Sequence, residues 1–163
     1  INYIIMAEKT FHVTKGKLKE LQKEHDELVS FEHNKVMGQE APRMFDSEDL
    51  NPEFISYHED IDALRFRIEE LKDILAHHEL IKAPAKDQHH VVALGAMVTT
   101  EAAGKEAQFT IMGTLEANPE IGVISNESPV GKALLGRTIG DEVMVSGLKK
   151  TKYKIKNITY QVG

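Results

Sequence analysis

The chain contains no cysteine and no tryptophan. The first absence excludes disulfides, thiolate metal centres and a cysteine nucleophile, and it fits a cytoplasmic protein. Aromatic residues are only 6% of the 163 positions, and there are five prolines. No run of about 18 apolar residues occurs, so no membrane-spanning helix is expected. Bases are outnumbered: 20 Lys and Arg stand against 26 Asp and Glu, for a formal charge of −6. That balance argues against broad, non-specific binding to duplex nucleic acid, which needs net positive charge. What is present suits one ordinary domain or two small ones, with 41% apolar residues for a core and 28% charged residues for solubility. The opening "INYIIMAEKT" is too short and uncharged for a signal peptide, and Met6 is a candidate natural start with residues 1–5 upstream of it.

Two helical patterns come first. From Thr14 to about Gln39, Leu18, Leu21, His25, Leu28 and Glu32 recur at steps of three and four, with Val29 and Val36 beside the seam. The seam is apolar at its base and polar toward residue 40. The second pattern is cleaner: Phe54, Tyr57, Ile61, Leu64, Ile68, Leu71, Leu75 and His78 form an unbroken heptad seam. Asn51 suits its N-cap, Pro52 its first position and Glu53 the positive end of its dipole. "APAKD" from Ala83 ends it. Helices of roughly 25 residues are about 38 Å long, and a link of about ten residues makes an antiparallel hairpin the simple arrangement.

After Pro84 the character changes to short β-rich runs punctuated by glycines: "HHVVALGAMVTT", "AQFTIMGTL", "GVIS", "EVMVSG" and "KYKIKNITYQV". One helical interlude, "SPVGKALLG" (128–136), interrupts them. This predicts an α+β chain: an N-terminal antiparallel hairpin, then an antiparallel sheet with one short helix. The expected divisions are an N-terminal extension (1–10), a hairpin (11–82) with its bend at 40–53, and a globular domain (83–163).

The bend "EAPRMFDSEDLNPE" concentrates charge, since Glu40, Asp46, Glu48, Asp49 and Glu53 face only Arg43. Carboxylates are hard ligands suited to magnesium or calcium; the plain alternative is a solvated turn. No EF-hand spacing is present. The pairs His77–His78 and His89–His90 are poor metal clamps, because neighbours on a helix point apart. His25 and His78 are assigned to the helix seam. The five lysines within 149–156 read as a solvated strand edge, or less readily as a phosphate-binding face. No P-loop, dinucleotide fingerprint, nucleophile elbow or kinase signature appears, so nothing supports a self-contained enzyme.

Residues 125–136, "SNESPVGKALLG", with "ANPEIGVIS" before and "TIGDEVMV" after, resemble the C-terminal signature of the bacterial Gre-family transcript cleavage factors. "VVALGAMVTT" is similar to that family's first strand in the same domain, and "RIEELKDIL" and "VTKGKLKELQKE" to its coiled coil. The resemblance runs from about residue 11 to 160. It implies an FKBP-like C-terminal domain that docks on RNA polymerase at the secondary channel. It also implies a coiled coil whose acidic tip reaches the polymerase active site near the nascent RNA 3′ end. There the tip shares Mg2+ with the polymerase, whose own activity cuts backtracked RNA. By this resemblance the docking positions are Ser125, Glu127, Ser128 and Pro129. The acids expected to supply the tip's charge, from positions shifted against the family's, are Asp46, Glu48 and Asp49, with Glu48 and Asp49 as the expected donors to the shared metal. No cofactor is expected on the chain alone, which is taken as a monomer.

The tip departs from the family pattern. That pattern reads roughly G-D-L-x-E-N-A-E-Y, and this chain has "DSEDLNPEF" (46–54). Asn51, Glu53 and Phe54 keep the ending. Matching Asp49–Leu50 to the D-L pair deletes two residues and loses the second acid; a gapless match puts Ser47 and Leu50 in place of both acids. Two family roles follow: stimulation of cleavage, or regulation by occupying the channel. A third reading, a peptidyl-prolyl isomerase or chaperone, follows from the FKBP-like expectation alone. It is disfavoured because Phe109, Tyr153 and Tyr160 are few aromatics from which to line a proline pocket.

Overall fold

The computed structural model describes residues 9–38 and 52–162. Within them the chain divides into two compact units: residues 18–77, and a globular unit from residues up to 17 together with those from 78 on.

The first unit is the helical hairpin. Helix α1 spans Lys15–Gly38 and α2 spans Pro52–Ala76. Cross-helix pairs fix their antiparallel sense, because Arg67 reaches Glu24 while Lys35 reaches Asp60. The seam is the expected one in most places. Leu21, Ile61, Ile68 and Leu71 are buried, and Leu18, His25, Leu28, Glu32, Tyr57 and Leu64 are half-buried. Ile74 is buried as well, with Leu75 only half-buried beside it. Full burial of a side chain such as Leu71 is worth about 1.5–3 kcal/mol. Toward the far end of α1 the seam turns polar and ion pairs replace apolar contacts. Arg65 Nε donates to Glu32 (2.7 Å), and Lys35 Nζ to Asp60 (3.0 Å). Arg67 binds both oxygens of Glu24 and also Glu70, which raises its pKa further above the ordinary guanidinium value.

Helix α2 ends sooner than its heptad pattern suggests. His77 N still makes the helical bond to Asp73 O, and its ring Nδ1 lies 2.9 Å from Asp73 Oδ1. His78 then leaves the helix. It opens β2 (His78–Leu80), which runs parallel to β1 (Phe11–Val13) with Phe11 opposite His78. Residues 11–17 and 78–82, expected in the hairpin, therefore belong with the globular unit. The reason is backbone pairing: Ile81 N donates to Val13 O at 2.8 Å, and Val13 is fully buried.

The globular unit is built on a five-stranded sheet of β3 (Ala96–Ala102), β4 (Lys105–Met112), β5 (Val123–Ser125), β6 (Glu142–Ser146) and β7 (Lys150–Tyr160), ordered β5-β4-β3-β7-β6. Four strands pair antiparallel, as expected; β5 joins β4 in parallel at the edge. Short 3-10 turns stand at Lys86–Gln88 and Pro119–Ile121. One face is apolar and is covered by the short helix α3 (Pro129–Leu134). Val98, Ile111, Leu134, Val143, Ile155 and Ile158 form its core. Ile155 and Ile158 are three apart and would face opposite sides of a regular strand. The β3–β7 register shifts between Thr99 and Thr100, and that bulge turns both inward. The one buried polar side chain described, Thr100, is satisfied by donating to Ala107 O.

Candidate functional site

The segment from Ser125 to Pro129 is a built turn rather than a loose connection. Ser125 closes β5. Its Oγ accepts from Glu127 N at 3.0 Å, and its carbonyl accepts from both the amide (3.0 Å) and the hydroxyl (2.6 Å) of Ser128. Ser128 has extended backbone, and its Oγ accepts from Gly131 N at 3.1 Å. It is thus the N-cap of α3, with Pro129 in the first helical position, where a missing N–H costs nothing. Asn126 N ties the turn back to the sheet by donating to Met112 O.

Gly131 makes this closure possible. A Cβ there would lie 2.1 Å from Ser125 O, so only glycine lets the helix start sit on the end of the strand. The polar work of the turn is done inward, leaving Glu127 and Pro129 exposed and Ser125 and Ser128 half-buried. The structure therefore brings the four expected docking positions into one turn and gives each a distinct part in it. The sequence reading missed Asn126 and Gly131; the S-x-x-S-P-x-G spacing carries the signal for the second.

The other candidates fare differently. Asp46, Glu48 and Asp49 lie outside the described residues, as do Asn51 and the rest of the bend up to it. Glu53 is in the first turn of α2. His25 is half-buried in α1, its Nδ1 3.1 Å from Asp26 Oδ1, as the seam reading expected. His78 is not in the seam, for the reason given above. His89 Nε2 contacts Pro84 O at 2.9 Å and its ring lies against Tyr160. Among the described residues no group of three or more His, Asp or Glu side chains converges as a metal site.

The lysine run forms an exposed row on β7: Lys150, Lys152, Lys154 and Lys156 alternate outward. Lys152 pairs with Glu142 on β6 and Lys156 with Glu101 on β3. Those hydrogen bonds and charges hold both carboxyls below the ordinary glutamate value and raise the Lys156 pKa. The row is thus partly neutralised across the sheet, which suits a solvated face better than a phosphate track. Phe109 and Tyr153 meet edge to face at 5.7 Å and pack on the core. The Tyr160 hydroxyl donates to Val91 O and accepts from Ala93 N. These three aromatics serve packing rather than lining an open proline pocket.

Residues 87–160 match the family model described as "Transcription elongation factor, GreA/GreB, C-term". Over 142 residues the chain is 35% identical to transcription elongation factor GreA of Thermomicrobium roseum, covering 86% of this chain and 90% of the relative. It is 35% identical over 150 residues to GreA of Mycoplasma genitalium, covering 89% and 92%. Among solved structures it resembles the GreA/GreB factor of Nitrosomonas europaea (19% identity, TM-score 0.43, 93% of this chain and 100% of that one). It also resembles GreA factor homolog 1 of Thermus thermophilus (21% identity, TM-score 0.41, 93% and 99%).

Proposed function

Because the chain belongs to the GreA/GreB family of transcription elongation factors, we propose that it docks on RNA polymerase through the Ser125–Pro129 turn and stimulates the polymerase's cleavage of backtracked RNA. One observation carries the docking half: the turn spends its hydroxyls and amides on its own closure and offers Glu127 and Pro129, both exposed, to a partner. A rigid turn with a carboxylate and a proline ring outermost loses little entropy on binding.

The cleavage half rests on composition. Asp46, Glu48 and Asp49 supply hard oxygen donors of the kind Mg2+ accepts. On this reading the chain lends only carboxylates, and the remaining donors belong to the polymerase. Mg2+, when bound there, supplies Lewis-acid stabilisation of the phosphoryl group. The chain's own contribution is to complete the donor set and to orient or deprotonate the attacking water through a carboxylate. The chemistry stays with the polymerase. The altered tip "DSEDLNPEF" keeps a second reading in play, in which the same dock serves a regulator that occupies the channel without promoting cleavage.

Docking is tested by competition. Pro129→Ala and Glu127→Lys should each weaken binding to the cognate polymerase by about tenfold, as loss of a contact worth about 1.4 kcal/mol would. Far-UV circular dichroism should be unchanged. Unaltered affinity in both variants would remove the turn from the interface.

A further inference from the structure

The seam of the helical hairpin changes its chemistry along its length. In the part toward Ala76, apolar side chains close it: Leu21 on α1 and Ile68, Leu71 and Ile74 on α2 are buried. Toward Gly38 and Pro52 this stops, and no residue of 31–38 or of 52–60 is buried. Glu32 stands at a seam position there, with only 25% of its side chain exposed, and accepts from Arg65 Nε at 2.7 Å. Lys35, with 19% of its side chain exposed, puts its Nζ 3.0 Å from Asp60 Oδ2 and 5.8 Å from the centre of the Tyr57 ring.

Ile61 is the last buried side chain of α2 in this direction. The two ion pairs bracket it, through Asp60 beside it and Arg65 one turn on. Here α1 offers α2 the aliphatic stems of a glutamate and a lysine, which cover apolar surface while their charged ends stay at the rim. The apolar residues of the same stretch of α1 face elsewhere: Phe31 is 59% and Met37 75% exposed. Pairs of this kind hold less firmly than burial. An exposed ion pair shifts an opening equilibrium by up to about fivefold and weakens with salt, whereas one fully buried leucine shifts it by more than about tenfold. Once unpaired, a helix end frays, because each residue there holds only its own backbone bond.

We propose that the hairpin is a two-part device. Its base is zipped by burial. Its outer segment, from Glu32 and Arg65 to Gly38 and Pro52, is latched by the Glu32–Arg65 and Lys35–Asp60 pairs; it opens while the base stays closed, and opens more as ionic strength rises. The device belongs to the hairpin itself and stands whether or not the polymerase reading above holds.

The test is amide exchange in the whole chain, followed by NMR at about 0.05 and 0.5 M NaCl and expressed as protection over unstructured rates. Asn34, Lys35, Val36 and Asp60 report on the outer segment, and Leu21 and Leu71 on the base. At low salt the outer amides should be protected at least about tenfold less than the base. Raising the salt should lower outer protection by about threefold or more and base protection by less than about twofold. Glu32→Gln should cut outer protection at low salt by up to about fivefold and shrink the salt response. Glu32→Leu combined with Arg65→Leu replaces one pair by apolar contact, and should raise outer protection and flatten its salt response. Outer and base amides that exchange alike and answer alike to salt would show a hairpin that opens as one piece, and would overturn the proposal. An outer segment that is less protected but indifferent to salt would be plain fraying and would overturn the latch. So would a double variant that keeps the whole of the parent's salt response.

Discussion

Replacing Gly131 with alanine puts the largest demand on the docking turn for the smallest chemical change. The added methyl would sit 2.1 Å from Ser125 O and 3.0 Å from Ser128 Oγ. The first is backbone at the end of β5 and cannot swing aside, so α3 must lift away from the strand. Lifting it breaks the Ser128 hydroxyl bond to Ser125 O and the Gly131 amide bond to Ser128 Oγ. Losing an N-cap costs about 1 kcal/mol, and overpacking costs about 1–3 kcal/mol. Leu134, fully buried on the same helix, would shift with it. The expected loss is about 2–4 kcal/mol, or a drop of about 30- to 900-fold in the folded-to-unfolded ratio. The assay is native-state hydrogen exchange at the amides of Ile111 and Ile155, both essentially buried in the core. A loss under about 0.5 kcal/mol, the range of an ordinary surface change, would refute the reasoning, because it would mean the helix start can move off the strand at no cost.

Leu71→Ala removes a fully buried seam residue of the hairpin. It should cost that unit about 2–5 kcal/mol, read as lost helical circular dichroism at lower temperature, and a loss under about 1 kcal/mol would contradict the seam. Tyr160→Phe strands Ala93 N and Val91 O and should cost about 1–3 kcal/mol in urea unfolding. Burial lifts the Tyr160 pKa, against a smaller opposing pull from the bond to Ala93. The fold therefore favours the neutral phenol. Its contribution is whole below the unfolded value near pH 10 and is lost as pH rises through the folded value. The parent should lose stability across that alkaline window more steeply than Tyr160→Phe, and parallel curves would remove the effect.

Much of this architecture can be read from local patterns. The steps of three and four from Leu18 to Leu28 and from Ile61 to Leu71 mark both helices, because burial on one face leaves a period in the sequence. Ser128–Pro129 announces a helix start for the same kind of reason, since cap and first-turn chemistry are local. What stays hidden is pairing between distant residues. β1 and β2 are three residues each and lie more than sixty positions apart, so nothing near either one signals the ladder that takes His78 out of α2. Within the globular unit Thr14 donates to the Glu116 carboxylate through its amide and its hydroxyl, at 2.7 and 2.6 Å, and no local pattern announces a partner 102 positions away. The inward turn of both Ile155 and Ile158 depends on a bulge set by the partner strand.

The most direct measurement is RNA cleavage in a stalled, backtracked elongation complex of the cognate polymerase across a magnesium series. It would compare the parent with the Asp46→Ala, Glu48→Ala, Asp49→Ala triple variant. The account predicts that the parent shortens the RNA and that the variant binds equally well but does not. A parent that binds, slows synthesis and leaves the RNA uncut at every magnesium concentration would contradict it and mark a regulator that occupies the channel.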